Sequence, residues 1–141
     1  MKKLILGLLL VVGASISTYA QCGKRVIISS NLTEYYNGSG ELQRSKEESS
    51  IVEFDGKEII ITPGDDEVAK GTIKSITCDW KTPFKDGKTV IKSTVTDPKG
   101  QIFNIIVTVE GKEGKISLLL EIEEQPDRKI RLKVDKFEEK K

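Results

Sequence analysis

The chain contains no histidine. That absence removes the commonest general base, the commonest nitrogen ligand for metals and the side chain that titrates nearest neutrality. Ser-His-Asp and Cys-His relays cannot be assembled, nor can H-E-x-x-H or Cys/His zinc sites, and two cysteines are too few for a structural zinc site. No G-x-x-x-x-G-K-[ST] phosphate loop occurs. An excess of one charge is also lacking, with 23 basic residues against 22 acidic ones. Without a basic surplus or cluster, nucleic acid is not expected as a partner.

Carboxylates are plentiful, and a pair across a cleft could in principle hydrolyse a glycoside. Nearly all of them fall on outward-facing strand positions or in turns, so the chain is expected not to be an enzyme. Gly64-Asp65-Asp66-Glu67 gathers three acids that could offer oxygen ligands to Ca²⁺. It lacks the spaced ligands and terminal glutamate of an EF-hand loop and reads as an acidic turn, so no metal site and no cofactor are expected.

Long hydrophobic runs are missing beyond the first twenty residues. Lys2 and Lys3 precede an apolar stretch at 4–12, which fades through small residues to Thr18, Tyr19 and Ala20. This order of charge, apolar core and small residues is that of a secretory signal peptide over residues 1–20, and the stretch is too short to span a bilayer. Cleavage after Ala20 would leave residues 21–141 as the mature chain, secreted or periplasmic, with no transmembrane segment. Removing Lys2 and Lys3 from the 23 basic residues leaves 21 against 22 acidic ones, a net charge near −1. About 120 residues make one domain with a real core.

Within that domain, apolar residues recur with a period of two. Ile116, Leu118, Leu120 and Ile122 alternate with Ser117, Glu121 and Glu123, and Ile130, Leu132 and Val134 alternate with Lys129, Arg131, Lys133 and Asp135. Each is a strand with one dry face. Similar segments fall at 25–30, 51–54, 58–62, 91–95 and 102–110. In the strand at 71–81, Ile76, Cys78 and Trp80 share a face while Ile73 has the opposite parity. Either a bulge near Lys74 and Ser75 restores the phase, or Ile73 lies at an exposed strand end.

The links are short and rich in Asp-Gly, Asp-Pro and Gly, which makes sequential strands antiparallel neighbours. One connection is long: residues 31–49 read as a loop, with 41–48 able to form two helical turns. The fold expected is all-β, an antiparallel up-and-down meander of about eight strands. Closure into a barrel would remove both sheet edges, and a two-sheet β-sandwich is the alternative.

The hairpin strands I-V-E-F-D-G-K-E-I-I-I-T and G-K-I-S-L-L-L-E-I-E, behind a signal peptide and a long loop, resemble small secreted lipocalin-like (calycin-like) β-barrel proteins. The T-Y-A-Q junction resembles exported proteins of Bacteroidetes type. The resemblance implies a closed barrel and a non-enzymatic function, binding a small apolar ligand inside. The alternative is a protein-interaction or inhibitor module of the cell envelope that presents aromatic loops.

Four aromatic residues are the candidate ligand-binding residues. Tyr35 and Tyr36 lie in the long connection, and Trp80 and Phe84 flank Lys81-Thr82-Pro83. Aromatics at a barrel mouth offer rigid apolar area with a polar handle; Trp80, with inward parity, could equally be core.

Cys22 follows Gln21, and Tyr19 stands three residues ahead of it, which is not the small-residue pattern of a lipidated cysteine. With no histidine to activate a thiol, and a secretory leader ahead, the even pair Cys22 and Cys78 is expected to form a disulfide.

Overall fold

The computed structural model describes residues 23–64 and 66–140. The leader at 1–20 and the Cys22 half of the expected disulfide lie outside the described residues. Eight strands run in order: β1 (Val26–Asn37), β2 (Leu42–Phe54), β3 (Glu58–Thr62), β4 (Ala69–Thr82), β5 (Asp86–Thr96), β6 (Ile102–Lys112), β7 (Lys115–Ile122) and β8 (Arg128–Glu139). Each pairs antiparallel with the next, and β8 returns to β1, so the meander closes into a barrel rather than a sandwich. Among the described residues no helix is long and apolar enough to cross a membrane.

Inward alternation builds the core. Ile105, Val107 and Val109 of β6, Ile91 and Val95 of β5, Val52 and Phe54 of β2, and Val26 and Ile28 of β1 are all buried. The phase break in β4 is a bulge: Ile73 pairs with Ser93 and Ser75 with Lys92, leaving Lys74 unmatched. Ile73 and Ile76 therefore both pack against the core. A second irregularity involves two neighbouring strands, at Asn31 of β1 and Asp135 of β8. The Asp135 carboxylate accepts the Asn31 amide at 2.8 Å. Inward parity shifts there from Ser30 to Thr33 and from Val134 to Phe137, and the shift in both strands keeps one dry face.

The expected loop at 31–49 is instead the continuation of β1, a turn at 38–41 and the first part of β2. Asn37 makes the turn, its side-chain oxygen accepting the amides of Ser39 at 3.0 Å and Glu41 at 2.9 Å. Gly40 supplies the positive φ of 86°. The strand was hidden because this hairpin overhangs the barrel. β3 pairs with β2 only at 51–54, so residues 42–47 are exposed on both faces and show no alternation. No helix forms at 41–48.

The barrel has two unlike ends. One, called the floor below, carries the start of β1, the end of β8 and the turns at 55–57, 83–85 and 113–114. The other, the rim, carries the turns at 38–41, 97–101 and 123–127 and the link from β3 to β4.

Candidate binding site

The four aromatics do not come together. Trp80 and Phe84 belong to the floor, and Tyr35 and Tyr36 to the rim. Trp80 is fully buried. Its indole N–H donates to Thr89 Oγ1 at 2.7 Å, and its ring lies 5.7 Å from Phe137. Phe84 meets Phe137 edge-on at 4.8 Å from a backbone φ of 63°, a left-handed conformation that a bulky residue holds only when packing compensates. Trp80 and Phe84 therefore pack into the interior at the end opposite Tyr35 and Tyr36 rather than standing beside them at one mouth. They are the plug that seals one end of the barrel.

The sheet makes room for that plug with a glycine. A Cβ at Gly111 would stand 2.9 Å from the Trp80 ring and 2.7 Å from the Lys85 carbonyl oxygen. Outside the plug, Arg25 pairs with Glu53, Asp55 and Glu58, and Lys140 reaches Glu53 at 3.0 Å. Asp55 is held below the usual carboxylate range, chiefly by the amides of Glu58 and Lys57 and further by Arg25. For Glu53, burial pulls upward, but the hydrogen bonds from Arg25 and Lys140 prevail and its pKa is lowered. The Lys140 amide donates to the Arg25 carbonyl at 2.8 Å, tying the residue that follows β8 to the one that precedes β1.

At the rim the interior is not filled. A cavity of about 100 Å³ is lined by Val52, Ile61, Pro63, Val107, Leu118, Leu120, Ile130 and Leu132, with Thr33, Tyr35, Glu48 and Ser50 as its polar members. The polar members all come from β1 and β2. The apolar members come mostly from β6 and β7 and from β8, where Leu132 and Ile130 are the register partners of Thr33 and Tyr35. Glu48 is an inward-facing carboxylate, its side chain 13% exposed, 3.6 Å from Lys46. The link to β4 folds down over it, since a Cβ at Gly64 would stand 2.7 Å from Glu48.

Tyr35 reaches this cavity. Its hydroxyl donates to Glu48 at 3.1 Å, and the Arg44 guanidinium lies 4.4 Å above its ring. Burial first, and then Glu48, pushes the phenol pKa above its ordinary value. Tyr36 has the opposite parity and pairs outside with Glu34 and Arg131, so it takes no part.

Sequence reasoning missed Glu48, Thr33 and Ser50. Their inward direction depends on a strand hidden in the supposed loop and on the parity shift at Asn31, which no composition signal marks.

A shallower depression of about 560 Å³ on the outer face is lined by Asp79, Lys81, Lys88, Glu110 and Lys115 among others. Charges of both signs alternate there with no buried polar group to select a ligand. Asp65 lies outside the described residues, and among the described residues no group of acidic or cysteine side chains is arranged to hold a metal. Comparison with known protein families, characterised proteins and solved structures gives no match to this chain.

Proposed function

We propose that this is an exported, non-enzymatic, lipocalin-like binding protein that takes a small apolar ligand at the rim of its barrel. The observation that carries the reading is the asymmetry of the interior. Aromatic rings fill the floor, and an apolar cavity remains at the rim. Its volume of about 100 Å³ sets the size of the occupant. Drug-sized ligands need about 300–1,000 Å³, whereas benzene enters a dry cavity of roughly 150 Å³. The occupant is therefore a molecule of a few heavy atoms, or the terminal portion of a longer chain.

Titration with benzene, followed by the methyl resonances of Val107, Leu118 and Leu120, tests this. Saturable shifts confined to those residues are expected, and Leu120→Trp, which fills the cavity, should abolish them. Unchanged spectra at millimolar benzene would defeat the reading.

Export and the disulfide belong to the same proposal. The described residues contain no free cysteine, and Cys78 lies on β4 at the floor, its sulfur accepting the Thr89 hydroxyl at 3.5 Å. A bond to Cys22 would pin the mature N-terminus to that strand. The second reading, docking to an envelope protein, draws support from the overhanging hairpin. Residues 42–50 of β2 have no strand on their outer side among the described residues, and Leu42 is 52% exposed. Of the four aromatics, Tyr36 lies on the outer face of that hairpin, whereas Trp80 is buried at the opposite end of the barrel.

A further inference from the structure

Ser30, Thr89 and Ser93 show how this barrel treats an inward hydroxyl. Ser30 donates to the Lys133 carbonyl at 2.6 Å, Ser93 to the Thr72 carbonyl at 2.8 Å, and Thr89 accepts the Trp80 indole. Thr33 is as deeply buried, at 2% exposure, and lines the rim cavity. Its hydroxyl is the buried side-chain polar atom among the described residues that has no hydrogen-bond partner. Buried polar groups are almost always satisfied, and leaving one unmade costs more than a typical hydrogen bond contributes.

We infer that Thr33 is the polar anchor of the rim site and that the ligand is a neutral, mostly apolar molecule bearing a hydroxyl group. This rests on the apolar-ligand reading above and narrows it to a ligand class. The wall around Thr33 decides the charge of the head group. An anionic carboxylate would face Glu48, which is turned inward and already accepts the Tyr35 hydroxyl. An ammonium would be repelled by Arg44 above the Tyr35 ring, and the Glu48 carboxylate that would attract it is already engaged by Lys46 at 3.6 Å and by the Tyr35 hydroxyl at 3.1 Å. Arg128 adds its field at the same tyrosine. A neutral hydroxyl incurs neither repulsion. It can donate to Thr33 Oγ1 or accept from it, since a threonine hydroxyl does both. The rest of the molecule then lies against Val107, Leu118, Leu120, Ile130 and Leu132.

The test is a matched set of four-carbon probes: 1-butanol, 1-chlorobutane, butyrate and butylammonium, each titrated against the disulfide-intact mature protein by NMR. The wild type should bind butanol about fivefold more tightly than chlorobutane, the value of one neutral hydrogen bond, with both ions weaker than either. Thr33→Val keeps the shape, removes the hydroxyl and should bring butanol down to the level of chlorobutane. Thr33→Ser, which restores the hydroxyl, should bring the preference back. Equal binding of butanol and chlorobutane by the wild type, or a preference that survives in Thr33→Val, overturns the anchor and leaves the apolar-ligand reading standing. Tightest binding of butylammonium or butyrate overturns the choice of a neutral head. Failure of all four probes to bind overturns both the anchor and the reading beneath it.

Discussion

The two ends of this barrel are made from the same eight strands and treat buried groups in opposite ways. At the floor each large group has a partner: the Trp80 indole meets Thr89, the Phe84 and Phe137 rings meet edge to face, and Gly111 yields the space they need. At the rim packing and pairing are incomplete: the Thr33 hydroxyl is left unpaired and about 100 Å³ is left unfilled beside the inward Glu48 carboxylate, which Tyr35 and Lys46 engage. The difference separates two tasks. Close packing and satisfied polar groups hold the fold together, and the site where both lapse is the one at which the ligand proposed above would contribute what the chain withholds.

The sharpest way to break the contrast is to truncate the plug. Trp80→Ala should cost about 3–5 kcal/mol in urea denaturation, as for a fully buried tryptophan. Leu120→Ala beside the rim cavity should cost less than half as much, because that side chain is only partly buried and already borders empty space. Equal losses would mean that the ends are not packed differently.

The proposed Cys22–Cys78 disulfide acts at the floor. The oxidised mature protein should be about 2 Da lighter than its reduced form by mass spectrometry. Cys78→Ser should cost about 4 kcal/mol in the chain-entropy account of so long a loop. Two free thiols in the oxidised protein would remove the staple from the comparison.

A smaller effect is expected at Gly111. Gly111→Ala drives a methyl against the Trp80 ring and should destabilise by about 1–3 kcal/mol, read from the urea midpoint. A neutral result would show that the plug has slack.

Acid should distinguish the ends most gently. Asp55 and Glu53 hold protons more weakly in the folded chain than in the unfolded one. Their contribution is therefore complete above the ordinary carboxylate range, near pH 4, and is lost as pH falls below it. Asp55→Asn should cost about 1 kcal/mol at pH 7 and flatten the fall in Tm between pH 5 and pH 2. A parallel fall in wild type and variant would show that the Arg25 cluster adds nothing.

The sequence was most legible where one strand face is dry and the other wet. Ile130, Leu132 and Val134 announce their direction by alternation, and so do Ile105, Val107 and Val109. The phase break at Ile73 was readable as well, because an extra residue must shift parity, and the bulge lies at Lys74. Residues 31–49 were not legible as strands: an overhanging hairpin is wet on both faces, so Gln43, Arg44 and Ser45 alternate nothing. The Asn37-Gly38 turn was the available signal, since Asn-Gly between extended segments marks a hairpin. Missing it also concealed Glu48 and Thr33. The site could not be read from residue type either, since two of the four candidate aromatics belong to the floor and one faces outward.

The shortness of β3 governs time as well as shape. β1 is held by β8 along its whole length, whereas β3 is held at 51–54 on one side and at 69–72 on the other. Local opening is least costly where the fewest backbone bonds must break together, so the amides of β3 should exchange with solvent before those of β1 or β6. Ile61 and Pro63, at its end, form part of the cavity wall. For the ligand proposed above, the fraying of this five-residue strand would be the way in and out, and its residence time would follow the opening rate of β3.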